Sequence, residues 1–175
     1  MSEEPIEIAW EGKWIQAKRQ GKWEFVSRAR GIKATVIVAI DDDGHVLLVD
    51  QYRVPLGRRC LELPAGLIGD EHDTDTVESA ARRELEEETG YTCAAVENLG
   101  EFYASPGMVS ESFYLVRATG LTKIGEGGGV AEEDINVHRV PMADITAFVA
   151  QKRAEGFGMD VKMLLLLASD LLKRS

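Results

Sequence analysis

Residues 77–91 read VESAARRELEEETGY, and the rest of the chain is organised around this stretch. Val77, Ala80, Ala81 and Leu85 recur at helical spacing, and Gly90 stands where a C-terminal glycine ends a helix, so a helix is expected over 77–89. Glu84, Glu87 and Glu88 lie three and four residues apart and share one face, turned away from most of that apolar stripe. Like charges this close repel, and at the C-terminal end of a helix they also oppose its dipole. The arrangement destabilises the helix unless cations sit among the carboxylates. Hard divalent ions, which take oxygen ligands and bridge to phosphates, are the matching class. Arg83 stands four residues before Glu87 and can brace it. Taken without its neighbours, a Glu-rich run of this kind reads as a solvated face.

Outward from the helix, the flanking segments alternate strands with helices. Ala34 to Ile40 and His45 to Val49 are apolar runs joined by Asp41-Asp42-Asp43-Gly44, a hairpin signal because Asp and Gly tolerate tight turns. Further strands are expected at Arg59 to Leu63, Ala94 to Ala104, Ser112 to Ala118 and Asp134 to Val140. Two later helices are expected over Met142 to Arg153 and Asp160 to Lys173. The second has Asp160 as N-cap and Val161, Leu164, Leu165, Ala168 and Leu172 as its buried face. Before Ala34, the segments Ile6 to Ile15 and Lys22 to Ser27 alternate around Gly12 and Gly21 as an antiparallel meander. Gly125 to Gly129 is too flexible for an element interior and reads as a mobile loop just before Glu132 and Glu133. These elements make an α+β domain over residues 31–175 with a short N-terminal β subdomain over 1–30.

A chain of 175 residues has room for one main core. Its formal net charge of −10 disfavours binding to phosphate backbones, so no nucleic-acid partner is expected. The acidic start has neither a basic segment nor an apolar core, and the longest apolar run, Met163 to Ala168, falls far short of a bilayer span; a cytoplasmic protein without membrane association is the expectation. Cys60 and Cys93 lie far from the three histidines, so zinc-ligand spacing is absent, and a reducing compartment disfavours a disulfide between them.

The run Arg83-Glu84-Leu85-Glu86-Glu87-Glu88-Thr89-Gly90-Tyr91 resembles the Nudix box, R-E-U-x-E-E-x-G-U with U apolar or aromatic, at every specified position. In the longer family pattern, G-x5-E-x7 precedes that run. Asp75 occupies the position of its Glu, and either Gly69 in direct register or Gly66 with a three-residue insertion is its Gly; Gly66, which follows Leu63-Pro64-Ala65, is preferred. The resemblance runs from about Trp23 to the C-terminus, and Gln51-Tyr52-Arg53, Glu62-Leu63-Pro64-Ala65-Gly66 and Ser105-Pro106-Gly107 with Glu111 are similar to segments of the ADP-ribose pyrophosphatase branch.

The resemblance implies a Nudix α/β/α sandwich with a mixed sheet, and a homodimer formed through the N-terminal strands. It implies hydrolysis of ADP-ribose to AMP and ribose 5-phosphate. Another nucleoside diphosphate sugar, such as ADP-glucose or GDP-mannose, is the alternative, and a non-catalytic nucleotide-binding module is a further one. Glu84, Glu87, Glu88 and the Ala65 carbonyl would hold Mg²⁺, or Mn²⁺, with Arg83 fixing the carboxylates. Glu133, or Glu132 by a one-residue shift, would act on the attacking water. Arg53, Arg58, Arg59, Tyr52, Pro106, Gly107 and Glu111 would contact substrate. Guanidinium groups suit a diphosphate because they bind oxyanions bidentately. Taken alone, Trp14, Trp23, Phe25 and Tyr52 read more readily as packing residues than as platforms for a stacked adenine.

Overall fold

The computed structural model describes residues 4–69, 74–130 and 133–172. Strands β4 (Ala34–Ala39) and β5 (His45–Arg53) lie at its centre, and their near-continuous apolar sequence has a physical reason. Val36 of β4 with Val46 and Leu48 of β5 packs into one cluster that includes Val149, Leu166 and Leu167. Ile37 and Ala39 with Leu47 pack into a second cluster that includes Ala81 and Leu85. Alternate side chains thus enter opposite cores. Both faces of the strands are covered, by helix α1 (Val77–Thr89) on one side and by α2 (Ile145–Ala154) and α3 (Leu164–Leu171) on the other. This is the α/β/α layering and mixed α+β class expected from the sequence.

Two four-stranded sheets carry these cores. In the first, β5 lies between β10 (Ile135–Pro141) and β6 (Arg58–Glu62), with β11 (Gly158–Met159) parallel at the edge. In the second, β4 lies between β7 (Ala65–Leu67) and β9 (Ser112–Lys123), with β8 (Tyr91–Tyr103) outermost. The β4–β9 pairing is parallel, from Ala34 opposite Phe113 to Ala39 opposite Ala118. The short β7 pairs antiparallel with β4 and so brings Ala65 and Gly66 to α1. A third sheet, β1 (Glu7–Glu11), β2 (Ile15–Gln20) and β3 (Trp23–Arg28), is the expected N-terminal meander. It docks on the loop before β9, where the Val26 backbone exchanges hydrogen bonds of 2.9 Å with Met108 and Ser110.

Two expectations need correction. The turn at Asp41 to Gly44 forms, with Gly44 at φ +77° and Asp41 accepting from the backbone of Asp43 and His45, but it does not close a hairpin. It carries the chain from one sheet to the other, leaving a single bridge between Ile40 and Val46. The face of the last helix also differs. Asp160 caps a 3₁₀ turn over Val161–Met163 before α3 begins, and Met163, Leu166 and Leu167 are the buried residues. Val161, Leu164, Leu165 and Leu172 are exposed, Leu172 at 80%. A 3₁₀ turn advances by three residues instead of 3.6, which rotates the helix start and brings Met163 to the core. The helix expected over Met142 to Arg153 likewise opens with a 3₁₀ turn, Met142–Asp144, and Lys173, the expected end of the last helix, lies outside the described residues. Cys60 and Cys93 are buried free thiols. No helix among the described residues is long and apolar enough to cross a membrane.

Candidate active site

Helix α1 starts at a capping box, in which the Thr76 side chain accepts from the Ser79 backbone and the Ser79 hydroxyl accepts from the Thr76 backbone. Ala80, Ala81 and Leu85 are buried in the core, which fixes the rotation of the helix and leaves Glu84, Glu87 and Glu88 on the remaining face. Its C-terminal end is closed by the glycine loop. Gly128 and Gly129 donate to the carbonyls of Glu88 and Glu87 at 2.9 and 3.0 Å, and Gly125 donates to Gly90 at 3.0 Å. A Cβ on Gly127 would stand 2.4 Å from the Thr89 carbonyl carbon, so only glycine permits this approach. The loop that composition marks as mobile is therefore pinned by its backbone to the last carbonyls of the helix, which have no partner within the helix itself.

The three carboxylates differ in their surroundings. Glu88 is 8% exposed and accepts from the Ala65 N–H at 3.0 Å. Burial pushes its carboxyl up to about 8, with the charges of Glu84 and Glu133 adding to the effect, against the opposing Ala65 N–H and Arg53. Burial also raises Glu84, although Arg83 lies 2.9 Å away. Arg83 reaches Glu87 at 3.3 Å, Asp75 at 3.5 Å and the Leu67 carbonyl at 3.3 Å, so a single guanidinium ties the carboxylate face to the segment before it. Asp75 also accepts from the Ser79 hydroxyl at 3.1 Å, which places it as a brace for that segment. Gly66 packs directly on the carboxylate face, where a Cβ would fall 1.7 Å from the Glu84 carboxyl carbon; Gly69 instead sits in a turn at φ +80°. This close contact favours Gly66 as the equivalent of the family's glycine.

Glu133 returns on itself, its carboxylate accepting from Val130 N–H at 3.1 Å and its own N–H donating to the Val130 carbonyl at 2.8 Å. Its charge raises both Glu84 and Glu88, which puts the three in one field. Glu132 lies outside the described residues. Arg53, at the end of β5, forms a bidentate pair with the buried Glu62 at 2.7 and 3.0 Å, and its charge also acts on Glu88. Ala65, Arg83, Glu84, Glu87, Glu88, Arg53 and Glu133 thus belong to one electrostatic neighbourhood.

Other expected site residues lie in different settings. Tyr52 and Arg58 are exposed, and Arg59 turns to Asp50 and Asp134. Pro106 and Gly107 are exposed in the loop that docks on β3, where Glu111 pairs with Arg28 at 2.6 Å. Sequence reasoning missed Asp50, which is 1% exposed and receives Arg59, His138 and the Asn136 amide. Its one signal is a carboxylate interrupting an apolar strand. Burial opposes its ionisation, but these three hydrogen bonds outweigh it and hold Asp50 below the usual carboxylate range. A further cluster, Asp41, Asp43 and His45, brings its ligand atoms within 4.8 Å of one another, but Arg139 already donates to both aspartates at 2.6 and 2.8 Å.

The donor set on α1 fits a hard divalent cation: carboxylate oxygens, one nearly buried, crowded together with more negative charge than Arg83 offsets. A family profile described as the NUDIX domain matches residues 30–157. The chain is 34% identical to the methanol dehydrogenase activator of Bacillus methanolicus over 69% of this chain and 64% of that protein. It is 33% identical to the ADP-ribose pyrophosphatase of Bacillus subtilis over 68% of this chain and 63% of that protein. Against the GDP-mannose pyrophosphatase of Yersinia pestis it is 37% identical over 79% of this chain and 70% of that protein. It spans less than two thirds of the length of the first two of these relatives. A crystal structure of an ADP compounds hydrolase has the same fold, with a TM-score of 0.70 over 95% of this chain and 91% of that one, at 22% identity.

Proposed function

Because the chain belongs to the Nudix family, we propose that it is a divalent-cation-dependent pyrophosphatase that hydrolyses ADP-ribose to AMP and ribose 5-phosphate. The observation that carries this reading is the buried Glu88 beside the half-buried Glu84, a pair whose ionisation is opposed by burial and which gains most from a cation. Glu84, Glu87, Glu88 and the Ala65 carbonyl would hold Mg²⁺, or Mn²⁺, which when bound neutralises diphosphate oxygens and acidifies water. Arg83 orients Glu84 and Glu87 through its two hydrogen bonds. Arg53, already fixed by Glu62, and the exposed Arg58 beside it in register supply positive charge for the diphosphate. Glu133 takes a proton at its carboxylate from the water that attacks phosphorus. Tyr52 and the Pro106-Gly107 loop contribute to the substrate surface.

A second reading, another nucleoside diphosphate sugar, is favoured by the likeness to GDP-mannose pyrophosphatase. Both are tested by kcat/KM for ADP-ribose, ADP-glucose and GDP-mannose with Mg²⁺ and with Mn²⁺. ADP-ribose is expected to lead, and a hexose conjugate ahead by about tenfold, roughly 1.4 kcal/mol of transition-state binding, reverses the substrate assignment. Tight Mg²⁺-dependent binding in calorimetry with no product over hours makes the chain a nucleotide-binding module instead. We further infer a homodimer through the N-terminal sheet, which exposes Ile6, Ile8, Trp10, Trp14 and Trp23. Sedimentation as a monomer at micromolar concentration refutes it. The free thiols of Cys60 and Cys93 suit the reducing cytoplasm expected for the protein.

A further inference from the structure

The loop that carries Glu133 is held at both ends, and different parts of the fold hold them. At its start, Gly128 and Gly129 are hydrogen-bonded to the last turn of α1. At its end stands Arg59 of β6, in the same sheet as β10 but separated from it by β5, and 75 residues from Asp134 in sequence. Its Nη1 donates to the Asp134 carboxylate at 2.6 Å, and its Nη2 donates to the Asp134 carbonyl at 2.8 Å and the Asp50 carbonyl at 2.9 Å. Its Nε donates to the Asp50 carboxylate. We propose that Arg59 is a positioning residue: braced on the buried Asp50, it clasps Asp134 and thereby holds the adjacent Glu133 in register with the carboxylates of α1.

The donor arithmetic separates this role from a diphosphate clamp. A guanidinium carries five N–H groups, and four hydrogen bonds to Asp50 and Asp134 leave one donor for a ligand, whereas bidentate capture of an oxyanion needs two. Asp50 cannot release its share freely. It is 1% exposed and also holds Asn136 at 3.1 Å and His138, both on the strand that follows the loop. The Asp134 side chain is 80% exposed, and an isolated pair so placed contributes little. Here the guanidinium is already ordered by Asp50, so little side-chain freedom remains to be lost, and the Asp134 carbonyl provides a second anchor. With Asp134 fixed on one side and Gly129 on the other, Glu133 is confined relative to both α1 and β6. The inference rests on the reading of Glu133 as the proton acceptor.

The test uses the full-length protein and the variants Asp134→Ala, Arg59→Gln and their combination, each also combined with Glu133→Gln. With ADP-ribose and saturating Mg²⁺, Asp134→Ala is expected to lower kcat about tenfold and leave KM within about twofold, since displacement of a reacting group by an ångström costs up to about a hundredfold. The double variant should match Arg59→Gln alone, and in the Glu133→Gln background Asp134→Ala should cost nothing further. A raised KM at unchanged kcat for Arg59→Gln, or a full additional loss from Asp134→Ala in the Glu133→Gln background, overturns the proposal. Should Arg59→Gln fail to fold, the surface variant Asp134→Ala still decides. Hydrogen exchange of the Val130 and Glu133 amides adds a readout independent of turnover: faster exchange in Asp134→Ala supports the latch, and unchanged exchange refutes it. Failure of the functional reading is distinct, since the unmodified protein would then show no Mg²⁺-dependent turnover, and exchange alone would judge the latch.

Discussion

Asp50 and Glu88 are both carboxylates enclosed by the protein, at 1% and 8% exposure, and their environments push them in opposite directions. Asp50 receives a guanidinium, an imidazole and an amide, and is held ionised. Glu88 receives one backbone N–H, faces the charges of Glu84 and Glu133, and is pushed up to about 8. Burial is costly for both, so the difference lies in what the chain itself supplies. Around Asp50 the fold provides the full set of partners, which makes a structural junction of three strands. At Glu88 it leaves the charge incompletely compensated, and an added cation has the most to gain there. Buried charge alone does not distinguish a site from a scaffold; the completeness of its partners does.

Paired substitutions test this contrast most strongly. Glu88→Gln should lower kcat by about a thousandfold in saturating Mg²⁺ while the Mg²⁺-free protein melts at the same temperature or higher. Asp50→Asn, of similar size, should instead destabilise the fold by about 3 kcal/mol, because Arg59 loses its buried counter-charge and His138 the carboxylate oxygen it meets. Chemical denaturation of both variants against the unmodified protein measures this. Equal losses of stability in the two would break the comparison.

A smaller effect sharpens it. Between the ordinary carboxylate value near 4.5 and about 8, folded Glu88 binds more protons than the unfolded chain does, so stability in EDTA should fall as pH rises through that window. The expected loss across the window is on the order of 5 kcal/mol. Asp50 has the opposite sign: its contribution is present above the unfolded value near 3.8 and is lost as pH falls through its lowered folded value, so it adds no slope between pH 5 and 8. Melting curves at pH 5 and pH 8 with and without Mg²⁺ check the assignment. The cation should stabilise more at pH 8, and Glu88→Gln should flatten the dependence.

Helix α1 was legible in the sequence because its signals are local: apolar spacing, Gly90 at its end and three carboxylates on one face. The β4–β5 turn was legible as a turn, but turn chemistry says nothing of which sheet each strand joins, and here they join different ones. The buried face of α3 was not legible, since Leu164 to Leu167 satisfies several helix rotations equally and the 3₁₀ turn before it selects one. Arg59 was legible as a cation near the diphosphate segment. Its engagement with Asp134 depends on β5, β6 and β10 coming together, and no local spacing encodes that.

The parallel pairing of β4 with β9 also has a consequence in time. Ala34 and Phe113 are 113 − 34 = 79 positions apart, so contact between these strands requires closing a long segment, a slow class of folding event. On the ribosome, about 60 residues separate the end of β5 from the start of β9, which at roughly 5–20 residues per second takes about 3–12 s. Throughout that interval β4 and β5 are made but neither their later strand neighbours nor α2 and α3 exist to cover them. Charges flanking an apolar strand oppose association of an uncovered segment, and the acidic turn Asp41 to Asp43 stands between these two strands. In the finished fold the same aspartates are taken up by Arg139, so charge that suits an uncovered turn is not left unpaired at Asp41 and Asp43.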